Sequence, residues 1–517
     1  MPPETSDPTS DTRQKTVQAL IDKQAKTRPA AIFLIDPDGG TQLTFKDLRT
    51  RARSAANALH RRGIRPGESV AFAMSNSLDA VSVLFGILYG GYRAVAVNLV
   101  SGMTTIGYVL EHSQSRLVIT QDEHQPLLKE AMTDAGLLID PINAEIILGE
   151  GDGEVLLSPT NTRRPSDDGL LMYTSGTTGR PKGVLLSHTN LIAGGENAMI
   201  AHHLTEADRA LCVLPLYHIN GLCVTVMGPL VSGGSVVMPQ KFSASKFWDI
   251  VREHRCTWFS VVPTQISYLL HGAKKDGTAA SGLELVRFGR SASAPLAPEV
   301  QEAFESCFKV PIVETMGLTE TAAQILSNPL PPGTRKIGSP GIAYGNEIII
   351  ADDRQAEVPR GGEGEVLVRG ANVMKRYFRN EEATSEALTP QGWLRTGDLG
   401  RMDEDGYVFI TGRLKELIIK GGENIAPREV DEALYSHPSV IEAAAFACAC
   451  PTYGQRVEAG VAIDADADVS EADLIAICEK RLGRFKCPDR IHFLPELPKG
   501  PSGKIQRIKL AKLYDQA

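Results

Sequence analysis

From Thr44 onward the chain alternates short apolar runs with amphipathic ones, and this alternation constrains the fold more than any other feature. Thr44 is placed to cap a helix that carries Leu48, Ala52, Ala55, Ala56 and Leu59 on one face, and Gly63 to end it. Ser69 to Met74 then reads as a buried strand, Leu78 to Tyr89 as an apolar helix, and Arg93 to Val97 and Arg116 to Thr120 as further strands. Strands joined through helices imply βαβ units, hence largely parallel sheets covered by helices. At 517 residues the chain exceeds what one core normally supports, so at least two domains are expected. A boundary is expected near Thr411. Beyond it Pro427 opens a helix through Tyr435, Ile441 to Cys448 and Val457 to Ile463 read as strands, and Ser470-Glu471-Ala472-Asp473 starts a helix through Leu482. The expected class is α/β, with a large N-terminal domain of βαβ-type mixed sheets and a small α+β C-terminal domain. The division is a disordered N-terminus over residues 1–15, a large domain over 16–411 and a small one over 412–517.

Charge and composition remove several classes. A formal net charge of -8 argues against a general nucleic-acid binder. No stretch approaches the ~20 apolar residues of a membrane span, and Met1 to Arg13 is polar and proline-rich rather than a signal peptide. Both points lead to the expectation of a cytoplasmic protein without stable membrane insertion. The eight cysteines, at 212, 223, 256, 307, 448, 450, 478 and 487, sit mostly among apolar neighbours and read as reduced core residues. Cys448 and Cys450 have no second Cys or His pair at zinc spacing, and their alternation with alanine suits a buried strand.

The stretch from Tyr173 to Gly183, with Thr174, Ser175, Gly176, Thr177, Thr178, Gly179 and Lys182, concentrates hydroxyls, glycines and one lysine. Glycines let backbone N–H groups close around phosphate oxygens, hydroxyls add donors, and Lys182 supplies charge. It is not a P-loop: Arg180 and Pro181 separate Gly179 from Lys182, and Gly183 with the strand-like Val184-Leu185-Leu186 follows where a hydroxyl and a helix belong. The stretch resembles the phosphate loop of the adenylate-forming superfamily of acyl-CoA synthetases, firefly luciferase and peptide-synthetase adenylation domains. Further segments match that superfamily in order, so the resemblance covers nearly the whole chain.

What the resemblance implies can be set out motif by motif. Leu214 to Gly221 resembles the motif whose aromatic or His residue lines the acyl pocket, here His218, with Asn220 and Gly221 beside it. Gly289 to Pro295 resembles the loop flanking nucleotide and acyl group, which places Arg290 and Ser291 toward the acid and Ser293 and Ala294 toward ATP. Thr315-Met316-Gly317-Leu318-Thr319-Glu320 resembles the motif whose Thr contacts phosphate and whose Glu holds Mg²⁺. Met316 stands where an aromatic ring often stacks on adenine, and a thioether still packs on a purine. Gly317 adjoins the acid. In Thr396-Gly397-Asp398 the carboxylate is implied to bind both ribose hydroxyls. Arg413 is implied to contact ribose or phosphate, and Lys415 to be the hinge of a mobile C-terminal domain. Lys420-Gly421-Gly422-Glu423 is implied to approach the pantetheine arm of coenzyme A, and Lys504 to be the catalytic lysine.

The implied activity is an acid–thiol ligase: ATP and a small carboxylic acid give an acyl-AMP and pyrophosphate, and coenzyme A then displaces AMP, with Mg²⁺ as the metal. Lys504, Lys182, Glu320, Thr319 and His218 are the implied catalytic set. Within the superfamily the runs Phe242-Ser243-Ala244-Ser245-Lys246-Phe247-Trp248, Val262-Pro263-Thr264 and Leu326-Ser327-Asn328-Pro329-Leu330-Pro331 resemble small-acid CoA ligases of the oxalyl-CoA synthetase type. Oxalate, sulfoacetate, malonate or a similar short polar or anionic acid is the implied substrate, because His218, Asn220, Arg290 and Ser291 make a polar pocket set. A stand-alone adenylation enzyme loading a carrier protein, or a non-CoA acyl-adenylate-forming enzyme, shares every ATP motif. A homodimer is compatible with the reading.

Overall fold

The computed structural model describes residues 16–150, 163–174, 180–276, 281–464, 467–500 and 503–514. The segment 1–15 expected to be disordered lies outside them, as do Ser175, Gly176, Thr177, Thr178 and Gly179 of the phosphate loop.

The first half of the alternation folds as read. Thr44 caps the helix Phe45–Arg61 through a reciprocal bond with Asp47. The helix Leu78–Gly90 is buried everywhere except at Asp79, as an all-apolar helix must be. The strands Ser69–Ala73, Arg93–Ala96 and Ser115–Thr120 that it connects and accompanies belong to a seven-stranded sheet whose inner strands run parallel. At one side of that sheet Asp168–Thr174 turns back as an antiparallel hairpin with Lys182–Ser187, pairing Thr174 with Lys182 across the phosphate loop. A second, nine-stranded sheet places Arg209–Cys212, Trp258–Val261, Phe288–Ser291 and Ile312–Leu318 side by side in parallel, then adds Ala323–Ser327 antiparallel. One continuous core joins both sheets: Val70, Phe72 and Leu84 meet Cys212, Trp258, Phe288 and Val313 within it.

The sequence reading contained no third sheet. Asn346–Ala351, Glu363–Gly370, Leu394–Met402 and Val408–Arg413 form a wholly antiparallel four-stranded sheet, packed on the same core through Val366, Val368 and Val408. Val408–Arg413 stays paired with Leu394–Met402, and Lys415 follows two residues later. The C-terminal unit has its own core of Ile418, Val430, Leu434, Ala445, Val457 and Leu474. Its sheet pairs Val440–Cys450 with Gly454–Ile463 antiparallel, with the helices Pro427–Tyr435 and Glu471–Leu482 packed on it. Among the described residues no helix is long and apolar enough to cross a membrane.

Candidate functional site

Where the small unit meets the large one, a cleft of about 1380 Å³, including its open mouth, is walled by residues from both. Ser293 and Ala294 reach it from the loop after Phe288–Ser291, and Thr315, Met316 and Gly317 from the strand Ile312–Leu318. Asp398 and Arg413 reach it from the antiparallel sheet, and Lys504 from the C-terminal unit. Eight residues named from sequence for ATP or acid thus converge, although they come from four regions of the chain. Gly317 is required by packing: a Cβ there would collide with the backbone of Ala323 on the neighbouring strand.

Asp398 and Arg413 are cross-strand partners, and the pairing brings their charges together. Arg413 Nε donates to Asp398 Oδ1 at 2.7 Å and Nη2 to Oδ2 at 3.4 Å. Burial alone would lower the guanidinium pKa, and the Asp398 charge more than offsets it, holding Arg413 above its usual value. Asp398 is 8% exposed, and its carboxylate keeps acceptor capacity beyond those two bonds. Lys504 is half-buried, with its pKa lowered by burial and then by the nearby Arg413 charge. Its loop is tied to the large unit where Thr264 Oγ1 donates to the Gly503 carbonyl at 3.2 Å.

A second cluster holds the phosphate-loop lysine. The Lys182 ammonium lies 5.1 Å above the ring of Tyr377, and the Tyr377 hydroxyl donates to Glu320 Oε1 at 2.7 Å. Burial and the Glu320 charge raise the Tyr377 pKa, so the phenol stays protonated as a donor. Thr319 precedes Glu320 in a short 3₁₀ turn, Thr319–Thr321. Lys182, Thr319 and Glu320 were named from sequence, whereas Tyr377 was missed: a tyrosine after Arg376 carries no local signal, and only folding places it between them.

The third group sits apart from the cleft lining. Asn220 and Gly221 open a wide π-type helix, Asn220–Met227, where a Cβ on Gly221 would lie 2.6 Å from the Pro215 carbonyl. Asn76 holds the loop that carries His218 by accepting from Leu216 N–H at 3.0 Å and donating to the Leu214 carbonyl at 2.9 Å. Arg290 is 1% exposed and Ser291 is fully buried. The guanidinium donates to Asn220 Oδ1 at 2.6 Å, Ser260 Oγ at 3.1 Å and Gln324 Oε1 at 3.2 Å. No carboxylate among the described residues pairs with it, and burial pushes its pKa down to about 9. A buried cation with only neutral partners is costly.

The residues named for coenzyme A stand elsewhere. Gly421 and Gly422 take left-handed backbone at φ 59° and 87°, Glu423 is exposed, and the Lys420 ammonium is 3.4 Å from Asp489 and 5.5 Å from the Phe485 ring. None of the four lines the cleft. Lys415 is exposed.

A family profile described as AMP-binding enzyme matches residues 21–378. The chain belongs to that family, the adenylate-forming superfamily. A profile for the AMP-binding enzyme C-terminal domain matches residues 429–504. The sulfoacetate–CoA ligase of Cupriavidus necator is 46% identical over 499 residues, covering 96% of this chain and 97% of that protein. The oxalate–CoA ligase of Arabidopsis thaliana is 34% identical, covering 96% and 98%. Among solved structures, ATP-bound MatB from Rhodopseudomonas palustris superposes with a TM-score of 0.88 at 28% identity, covering 96% of this chain and 99% of that one.

This AMP-binding enzyme is therefore an AMP-forming, ATP-dependent acid–CoA ligase, with ATP, a small carboxylic acid and coenzyme A as substrates. Its residues fit the family's usual metal. Among the described residues no group of three or more His, Cys, Asp or Glu is arranged to hold an ion, and Mg²⁺ bound mainly by nucleotide phosphates needs only one or two protein carboxylates. Glu320, which shares Tyr377 as a contact with Lys182, is a carboxylate of the kind such a contact needs.

Proposed function

We propose that this ligase activates a short carboxylic acid whose far end carries a second anionic group, and that Arg290 pairs with that group. The observation that carries the reading is the buried Arg290 guanidinium, which has neutral partners and no counter-ion among the described residues. A hydrocarbon tail against it would leave the charge uncompensated, whereas a sulfonate or carboxylate would supply the missing charge. The names of the two relatives, for sulfoacetate and oxalate, carry the same chemistry.

In the proposed reaction a carboxylate oxygen attacks the α-phosphorus of ATP, pyrophosphate leaves, and the acyl-AMP forms. The coenzyme A sulfur then attacks the acyl carbon and AMP leaves. Negative charge builds on the bridging and leaving oxygens, so cations placed in advance are the main aid to the first step. Lys504 and Lys182 are proposed to supply them, with the hydroxyls and backbone N–H groups of residues 174–179 as further phosphate donors. Mg²⁺ on Glu320 would add Lewis-acid charge there. Asp398 is proposed to accept both ribose hydroxyls with the acceptor capacity Arg413 leaves free, and Met316 to pack on adenine between Ser293, Ala294 and Thr315. The unit 412–517 is proposed to turn about Lys415, bringing the Lys420–Glu423 face to the pantetheine arm. Eight free cysteines fit a reducing compartment, and the proposal places the enzyme in the cytoplasm.

The test is kcat/KM for oxalate, malonate, sulfoacetate, acetate and octanoate in the wild type and in Arg290→Leu, with Arg290→Lys as a variant that keeps the charge. The wild type should favour a short anionic acid over octanoate. Arg290→Leu should lower that preference by about 10- to 100-fold, the worth of a charge-assisted bond of roughly 1.5–3 kcal/mol. A wild type that works best on octanoate, or a ranking unchanged in both variants, overturns the reading.

A further inference from the structure

The cluster around Arg290 has used up its acceptors. Asn220 Oδ1 accepts from Arg290 Nη1 and, at 3.2 Å, from Ser260 Oγ. Gln324 Oε1 accepts from Arg290 Nε and lies 2.9 Å from His202 Nε2. His202 is fully buried and its pKa is pushed down to about 3, so the imidazole is neutral; donation from Nε2 to the Gln324 oxygen assigns its tautomer. Each amide oxygen therefore already takes two donors. Flipping either amide would aim its NH₂ at the guanidinium, donor against donor, so Arg290 sets both orientations. The consequence is that Asn220 Nδ2 and Gln324 Nε2 are buried and have no partner, although Asn220 is only 6% exposed and Gln324 fully buried. Arg290 Nη2 also makes no hydrogen bond with a described residue. Buried donors without acceptors are rare because each forfeits its hydration. Gln324 is moreover the cross-strand partner of Gly317, which lines the cleft.

We propose that Gln324 and Asn220 are specificity-determining residues whose free amide N–H groups, with Arg290, form a three-donor seat for the distal oxyanion of the acid. The proposal rests on the reading of the substrate as a short anionic acid and adds what holds the anion. Three donors from three segments match the three oxygens of a sulfonate better than the two of a carboxylate, so an ω-sulfonated acid is the favoured class. Ser260 and His202 act through the amides as positioning residues.

Pyrophosphate release is measured with sulfoacetate, malonate and propionate in the wild type, Gln324→Met, Asn220→Leu and Gln324→Glu. The first two variants remove a free N–H, whereas the third keeps an acceptor for Arg290 and His202 while placing a carboxylate where the anion would sit. The expected result is a fall of at least tenfold in the sulfoacetate-to-propionate ratio of kcat/KM in all three, largest in Gln324→Glu, with KM for ATP unchanged. Loss of both acids by one common factor, or no change in the ratio, would give Gln324 and Asn220 a packing role only and overturn the proposal. If Gln324→Met does not fold, the Gln324→Glu ratio decides. The wild-type profile tests the substrate reading separately: a wild type that does not prefer either anionic acid over propionate removes that reading before any variant is compared.

Discussion

Lys504→Ala is expected to lower acyl-adenylate formation by on the order of 10²- to 10³-fold while leaving attack of coenzyme A on supplied acyl-AMP nearly intact. Lys504 shares the cleft wall with Asp398, Arg413 and Met316, and among the described residues its ammonium forms no ion pair that would divert it. Burial and the Arg413 charge disfavour its protonated form, and an incoming polyphosphate would favour it. The charge thus interacts most strongly when negative charge collects beside it, in the first half-reaction. Stopped assays of pyrophosphate release and of thioester formation from synthetic acyl-AMP separate the two steps. Equal losses in both would remove Lys504 from its assigned place in adenylation.

Lys415→Pro should have the opposite signature. Leu414 N–H donates to the Gly397 carbonyl and Glu416 N–H to the Arg413 carbonyl, both at 2.9 Å, whereas the Lys415 N–H makes no backbone bond. Proline there removes no donor from the present arrangement, which is the one that puts Lys504 in the cleft. It does fix φ near -65° and restrict Leu414, so a rotation about this point becomes costly. A penalty of about 3 kcal/mol corresponds to roughly a hundredfold loss of thioester formation, with adenylation retained. Measuring both half-reactions in the variant decides the matter. An unchanged thioester rate places the hinge elsewhere, and a matched loss in both makes Lys415 part of the static scaffold.

Some of this protein was legible in its sequence because the signals are local. The capped helix after Thr44, the apolar helix Leu78–Gly90, the parallel strands between them and the C-terminal unit follow from patterns spanning a few residues, where periodicity and caps act directly. The motif residues Met316, Asp398, Arg413 and Lys504 were also nameable one by one, since each sits in a short run that resembles a motif of the family. The antiparallel sheet that joins Asp398 to Arg413 was not legible, because antiparallel pairing over fifteen or so residues depends on which core face is available to cover it. Tyr377, between Lys182 and Glu320, belongs to the same class.

The contrast is sharpest at Arg290. The sequence, through its resemblance to the family's loop from Gly289 to Pro295, offered Arg290 as a candidate facing the acid, and it left open whether that charge faces solvent or an acidic partner. Only the tertiary structure decided that it does neither: it is buried against the oxygens of Asn220, Ser260 and Gln324, drawn from separate segments, with two unpartnered amide N–H groups beside it. The physical reason is that a side chain's hydrogen bonds are set by whatever the fold brings within about 3 Å, and sequence distance carries almost no information about that.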